Sequence, residues 1–217
     1  MDTLKTLMHL VGGYRLPDSE NGSARRLQLV ALAALASAIL CAIYGFVAGS
    51  GGDMGMAMAN LYKMPMVVLL SSVSAIPAGL LAWKLFKSSG RWTDLIVGTA
   101  AGTLTGSLIL AVLSPLVGLY YATSTWLGPA LALGIAGTAT LTGIAILGRF
   151  VIHGSEPLPK DPAVSGTIGA WVRRLVPLGV MATIQIATLT QLISLASPIL
   201  YEETMFDGGV DAILGAE

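Results

Sequence analysis

Charged residues are scarce in this sequence, and their scarcity limits what the protein can be. Lys, Arg, Asp and Glu make up 11% of the 217 residues, whereas soluble globular domains carry about 25%. Hydrophobic residues make up 54%, and the mean hydropathy is +0.77. This composition lacks the polar surface that a soluble enzyme needs, so we exclude that class together with a disordered chain.

Cysteine and an excess of basic residues are also lacking. One cysteine excludes a disulfide framework and a zinc site built from several cysteines. Twelve Lys and Arg residues balance twelve Asp and Glu residues, so the formal net charge is zero. A nucleic-acid-binding protein would carry a strongly basic patch, and nucleic acid is therefore not an expected partner.

Long apolar segments dominate the rest of the chain. A helix needs about 20 apolar residues to cross a hydrocarbon core roughly 30 Å thick. Strands of a membrane barrel are about half that length and alternate in polarity. The sequence therefore predicts an all-α polytopic transmembrane bundle whose five spans lie at residues 27–47, 65–82, 95–120, 126–147 and 175–200.

The basic residues are distributed unevenly between the gaps. If the N-terminus is cytoplasmic, eleven of the twelve Lys and Arg residues lie inside and Lys63 lies outside. The positive-inside rule then predicts five spans with the N-terminus in and the C-terminus out. Residues 1–26 become a cytoplasmic segment, residues 27–200 the membrane domain, and residues 201–217 an acidic extracytoplasmic tail.

Two cytoplasmic segments have more than one interpretation. Residues 4–11 are weakly amphipathic and suit an interfacial helix on the inner membrane surface. Residues 155–162 contain three prolines and suit a semi-rigid connector. Either segment offers a docking site for a partner, and a solvated linker is the alternative that we favour for both.

Small residues recur on one face of the third span. Gly98, Gly102 and Gly106 are four residues apart, so they share a helix face. Small side chains let membrane helices approach closely. We favour packing within the chain, and a glycine-lined pore is the alternative.

The fifth span is the most polar. Thr183, Thr190, Ser194 and Ser197 lie near one helical face, and Gln191 lies on its flank. An unsatisfied amide in hydrocarbon is costly. We therefore favour hydrogen bonding of these side chains to the rest of the bundle, and a hydrophilic pathway or a contact with another subunit is the alternative.

The spans offer little for catalysis. None of their interiors contains an ionisable residue of the kind that serves proton-coupled transport. No nucleophile has a visible base beside it at membrane depth. Pro77 and Pro115 lie inside the second and third spans, where kinks are expected. We therefore expect neither an enzyme nor a cofactor.

A methionine-rich segment follows the first span. Met54, Met56 and Met58 are predicted to lie in an outer loop. Thioethers are soft ligands for Cu(I), and alternating methionines share one side only if the segment is extended. Adaptable apolar filling is the alternative that we favour, because no His or Cys accompanies the methionines.

Short motifs in the second and third spans resemble a known family. They are LYKMP at residues 61–65, IP at 76–77, LSP at 113–115 and YYATS at 120–124. Over residues 27–152 the chain resembles bacterial membrane proteins of the Yip family. The resemblance implies five spans, a cytoplasmic N-terminus and a bacterial inner membrane, without established chemistry. The recruitment of small GTPases by eukaryotic relatives does not carry over, because the N-terminal segment is short.

Lys63 and Pro65 stand together where the second span is predicted to begin. Proline is favourable at the first position of a helix. Lys63 is expected to extend to the lipid headgroups or to pair with Asp53.

Three functions follow from these patterns. The leading hypothesis is a non-enzymatic membrane scaffold or accessory subunit, which contacts the bilayer and self-associates or joins a membrane complex. The second is an oligomeric channel or small-solute permease lined by the third and fifth spans. The third is extracytoplasmic Cu(I) handling by the methionines.

Overall fold

The computed structural model describes residues 3–14, 23–86, 92–123, 127–153, 167–197 and 199. Within these ranges the chain forms helices and no strand. The acidic tail and the proline-rich connector predicted above lie outside the described residues. The helices are α1 (Thr3–Val11), α2 (Ser23–Gly49), α3 (Met54–Leu85), α4 (Trp92–Thr123), α5 (Leu127–His153) and α6 (Thr167–Ala196).

Five of these helices, α2 to α6, are long and apolar enough to cross a membrane. This confirms the predicted all-helical bundle with five candidate spans. α4 lies at the centre and packs against α2, α3 and most extensively α5, whereas α6 packs mainly against α3. In the most apolar stretch of α4, 61% of the residues are buried, against 6% in α6. Few α6 residues are therefore fully buried, and most of those described from Leu175 onward are partly buried.

α3 begins earlier than the sequence predicts. Asp53 is its N-cap, with extended backbone angles, and its Oδ1 accepts the Met56 N–H at 2.6 Å. The prediction that Pro65 occupies the first position of this helix is therefore wrong, because Pro65 lies inside it. Lys63 lies ten residues beyond Asp53, about 15 Å along the helix axis. That separation is too long for the predicted pair with Asp53.

The helices continue through their internal prolines, which are Pro65 and Pro77 in α3, Pro115 in α4 and Pro177 in α6. Proline removes the N–H that would bond to the carbonyl four residues earlier. For Pro115 that carbonyl belongs to Ala111, and Ser114 Oγ donates to it at 2.8 Å. A neighbouring hydroxyl thus satisfies the carbonyl that the proline leaves free.

One ion pair fastens the N-terminal ends of α2 and α4. Arg26 donates from the same guanidinium nitrogen to Asp94 Oδ1 at 2.8 Å and to Thr93 Oγ1 at 2.7 Å. The Arg26 and Asp94 side chains are only 11% and 20% exposed. This pair lies at the end of the bundle that the positive-inside rule assigns to the cytoplasm.

The short helix α1 packs into the bundle. Leu10, which is 1% exposed, belongs to a cluster with Leu29 of α2, Val97 of α4 and Phe150 of α5. Thr105 Oγ1 lies 3.2 Å from the Val11 carbonyl oxygen and 2.9 Å from the Ala101 carbonyl oxygen, and its single proton serves one of them at a time. Gly13 then takes a positive φ of 69°, which glycine adopts readily at a helix end. The amphipathic pattern of α1 thus places its apolar side against protein.

Candidate functional site

The glycines of α4 lie against α5. A Cβ added to Gly98 would meet the side chains of Leu147 and Phe150, and one added to Gly106 would lie 3.0 Å from the Ala139 carbonyl oxygen. Gly102 faces the backbone of Gly143 directly. The structure therefore places this glycine row in a close contact between two antiparallel helices.

A small crevice of about 40 Å³, lined by polar and apolar residues, lies beside this contact, between α3, α4, α5 and α6. We call it the polar crevice after the hydroxyl and amide groups in its lining. Gly102, Gly106 and Gly143 form part of its wall. Its polar lining is uncharged and lies near the middle of each helix. These polar residues are Ser71, Ser72, Thr103, Ser107, Thr140 and Gln185.

Ser72 is the centre of the hydrogen bonds in the crevice. Thr103 Oγ1 lies 2.9 Å from both Ser72 Oγ and the Thr99 carbonyl oxygen, and its single proton serves one of them at a time. Gln185 Nε2 donates to Ser72 Oγ at 3.4 Å, which is long for such a bond. Three of the spans are thereby connected through one hydroxyl.

Most hydroxyls in the crevice donate to their own helix. Ser71 and Ser72 both donate to the Val68 carbonyl at 2.9 Å. Ser107 donates to the Thr103 carbonyl at 2.8 Å, and Thr140 to the Ala136 carbonyl at 2.9 Å. Their protons are committed to the backbone, so these hydroxyls can act only as further hydrogen-bond acceptors, a role that Ser72 already fills for Gln185.

The polar side chains of α6 lie on two different sides. Gln185 faces the crevice, whereas Thr183 and Gln191 are exposed on the outer surface of the bundle. Thr190 and Ser194 are half-buried, and Thr190 Oγ1 donates to the Ile186 carbonyl at 2.9 Å. The residues grouped on one face by the sequence therefore lie at the outer surface and its edge.

Small residues accompany the exposed glutamine. Gly179, Thr183, Ala187 and Gln191 are four apart along α6 and all are exposed. A Cβ added to Gly179 would meet no atom within 4 Å. We call these four residues the α6 seam.

The methionine segment does not form the predicted outer loop. Met54, Met56 and Met58 lie in the first turns of α3, because Asp53 caps the helix before them. Met54 and Met58 are 68% and 53% exposed and share one side. Met56 diverges from each by about 200°. The extended segment that would align three thioethers for copper is therefore not formed.

A buried amide lies near the opposite end of the bundle from Arg26. Asn60 is fully buried, and its Nδ2 donates to the Ile199 carbonyl at 2.7 Å. Among the described residues its Oδ1 has no hydrogen-bond partner. Gly49 of α2 lies close enough that an added Cβ would be 2.7 Å from Asn60 Nδ2. This amide secures the chain just after α6 to α3, and α2 packs closely beside it at Gly49.

Sequence reasoning missed the crevice. The sequence pattern does not mark Ser71, Ser72 or Thr140, and Gln185 lies off the polar face of the fifth span. The readable signal was a pair of serines inside an apolar span, which needs partners in a membrane. Which helices supply those partners depends on packing that the sequence does not display.

Comparison with protein families, with curated proteins and with solved structures finds no match to this chain. The resemblance to the Yip family therefore rests on the short motifs alone.

Proposed function

We propose that the protein is a non-enzymatic scaffold or accessory subunit of a bacterial inner membrane, and that it self-associates through the α6 seam. The observation that carries this proposal is the exposed Gln191 amide on the outer surface of a span. A polar group that faces hydrocarbon without a partner costs several kcal/mol, roughly, so such an amide favours a protein neighbour.

A second copy of the chain suits this surface. An amide has both donors and acceptors, as do the hydroxyls of Thr183 and Thr190. Two copies of one face can therefore satisfy each other in a symmetric dimer. Gly179 and Ala187 add little bulk, which supports the close backbone approach of small-residue helix pairs. The slight burial of α6 leaves this face available.

An oligomeric channel or small-solute permease is the second candidate. The polar crevice favours it, because α4 and α6, the spans that the sequence selected for a pathway, both contribute to the lining. The close contact of Gly102 with Gly143 narrows the space beside it. Any pathway would therefore run on the α6 side of this contact.

Disulfide cross-linking in native membranes tests the seam. We would place Ala187→Cys in a Cys41→Ser background, because Ser retains a hydrogen-bonding group 3.2 Å from Ser107 Oγ. Val112→Cys is the matched control, since Val112 is 65% exposed on a different span. We expect a cross-linked dimer from Ala187→Cys, less dimer when Gln191→Leu is added, and none from Val112→Cys.

Equal cross-linking at both positions, or no cross-linking at either, would contradict self-association through the α6 seam. A flux measurement on the purified protein in liposomes distinguishes the two candidate functions. A scaffold gives no solute or ion flux. A flux that changes on Gln191→Leu or Gly102→Val would contradict the scaffold proposal and favour the channel.

A further inference from the structure

We infer that the polar crevice is a binding site for water, held at the middle depth of the membrane domain by Gln185 and the surrounding hydroxyls. This inference is independent of self-association, because the crevice lies within one chain. It rests on the size, the hydrogen-bond capacity and the charge of the lining.

The size of the crevice suits a few water molecules. One water needs about 10–15 Å³ of such volume, and the crevice offers about 40 Å³. The space is therefore large enough for up to about three waters. A neighbouring cavity of about 70 Å³, which Val30, Leu69 and Ile96 help to line, has an apolar surface. That apolar cavity serves as an internal comparison.

The hydrogen-bond capacity of the crevice calls for a molecule that donates protons. The hydroxyls of Ser71 and Thr140 donate to backbone carbonyls, so their lone pairs are left to accept hydrogen bonds. Ser72 already accepts from Gln185, and Ser107 lies 3.2 Å from the Cys41 sulfur. Water has two protons to offer to the free lone pairs. A buried water needs two to four polar partners, about three on average, and the lining exceeds that number.

Gln185 needs such a molecule. Its amide has two N–H donors and an oxygen with two lone pairs. Among the described residues it makes one hydrogen bond, the long one to Ser72 Oγ. Leaving the rest unsatisfied at this depth is costly, and water in the crevice completes the amide without another side chain.

The absence of charged side chains from the crevice lining indicates that the ligand is neutral. None of the side chains that line the crevice is ionisable, so nothing there compensates the desolvation of an ion. The site therefore favours a neutral donor of the size of water. α5 and α6 contact each other only slightly, which leaves their side of the crevice the easiest to open for exchange.

Water-edited solid-state NMR of the full chain in lipid bilayers tests this site. The measurement follows magnetisation transfer from water to the Gln185 side-chain amide. Exposed Gln28, near the start of α2, gives the rate for a hydrated amide. The backbone amide of Leu141, 66% exposed on α5 at similar depth, gives the rate for a position that faces lipid. We expect Gln185 to receive magnetisation nearly as fast as Gln28.

A filling variant tests whether the water lies in the crevice. Thr140→Leu adds apolar bulk to the lining and should slow transfer to Gln185 to the rate at Leu141. Thr138→Leu is the matched control, because Thr138 is exposed on the same helix, and it should leave transfer unchanged. Wild-type transfer to Gln185 no faster than to Leu141 would overturn the proposal, as would equal loss in both variants.

Discussion

Replacing Gly143 by alanine should push α4 and α5 apart. A Cβ at Gly143 would lie 2.8 Å from the Gly102 carbonyl oxygen and 3.3 Å from its carbonyl carbon. Both atoms belong to the backbone, so no side-chain rotation relieves the contact. Carbon atoms pack at about 3.5–4.0 Å, and the helices must therefore separate by several tenths of an ångström at this point.

The size of the effect comes from two opposing terms. Overpacking a tight interior costs about 1–3 kcal/mol. Alanine in a helix is more favourable than glycine by about 0.5–1 kcal/mol. Gly134→Ala on the same helix has the same gain in helix preference. It has no overpacking cost, because nothing lies within 4 Å of its added Cβ. The difference between the two variants should therefore be about 1–3 kcal/mol.

Unfolding in mixed micelles with increasing SDS, followed by tryptophan fluorescence, measures this difference. We expect Gly134→Ala to unfold at or above the wild-type SDS fraction and Gly143→Ala clearly below it. If the two variants unfold together, α4 and α5 do not meet through these backbones, and the packing described here is refuted.

Two further predictions concern other parts of the bundle. Asp94→Ala leaves the Arg26 guanidinium, 11% exposed, without its carboxylate, which should cost about 3–5 kcal/mol of unfolding free energy in the same assay. Arg25→Ala, one position away, is the control, and an equal loss there would contradict the assigned pair. Replacing Met54, Met56 and Met58 by leucine should leave the Cu(I) affinity unchanged in a competition titration, because the helix holds Met56 away from the other two. A clear loss of affinity would instead support copper binding.

The five-helix bundle could be predicted because hydropathy is a local property of the chain. The length of each apolar run alone shows whether it can cross a membrane, independently of the other helices. The face of Gly98, Gly102 and Gly106 could likewise be found from spacing alone, because an α-helix brings residues four apart together.

The start of α3 was harder to predict, although its signal was present. The methionine segment looked like a loop because it lies between apolar runs. Asp53 nevertheless occupies the N-cap position for Met56. A hydropathy average over many residues hides the effect of this single carboxylate. Only the Asp53 cap shows that the helix begins eleven residues before Pro65.

The outer and inner faces of α6 could not be assigned from its sequence. In a membrane, the hydrophobic effect does not drive helices together as it does in water. Apolar residues therefore occur on every side of α6 and do not mark its buried face. Gln185 and Gln191 are six residues apart and equally polar, yet one faces the crevice and the other the outer surface. Their difference comes from the packing of α6 against α3.

The docking of α1 has a consequence for the order in which the protein matures. α1 leaves the ribosome before the helices that hold it, because Leu10 contacts α2, α4 and α5. Its groove is complete only after the translocon has released the α5 span into the bilayer. α1 therefore ties α2, α4 and α5 together only once those three helices have assembled.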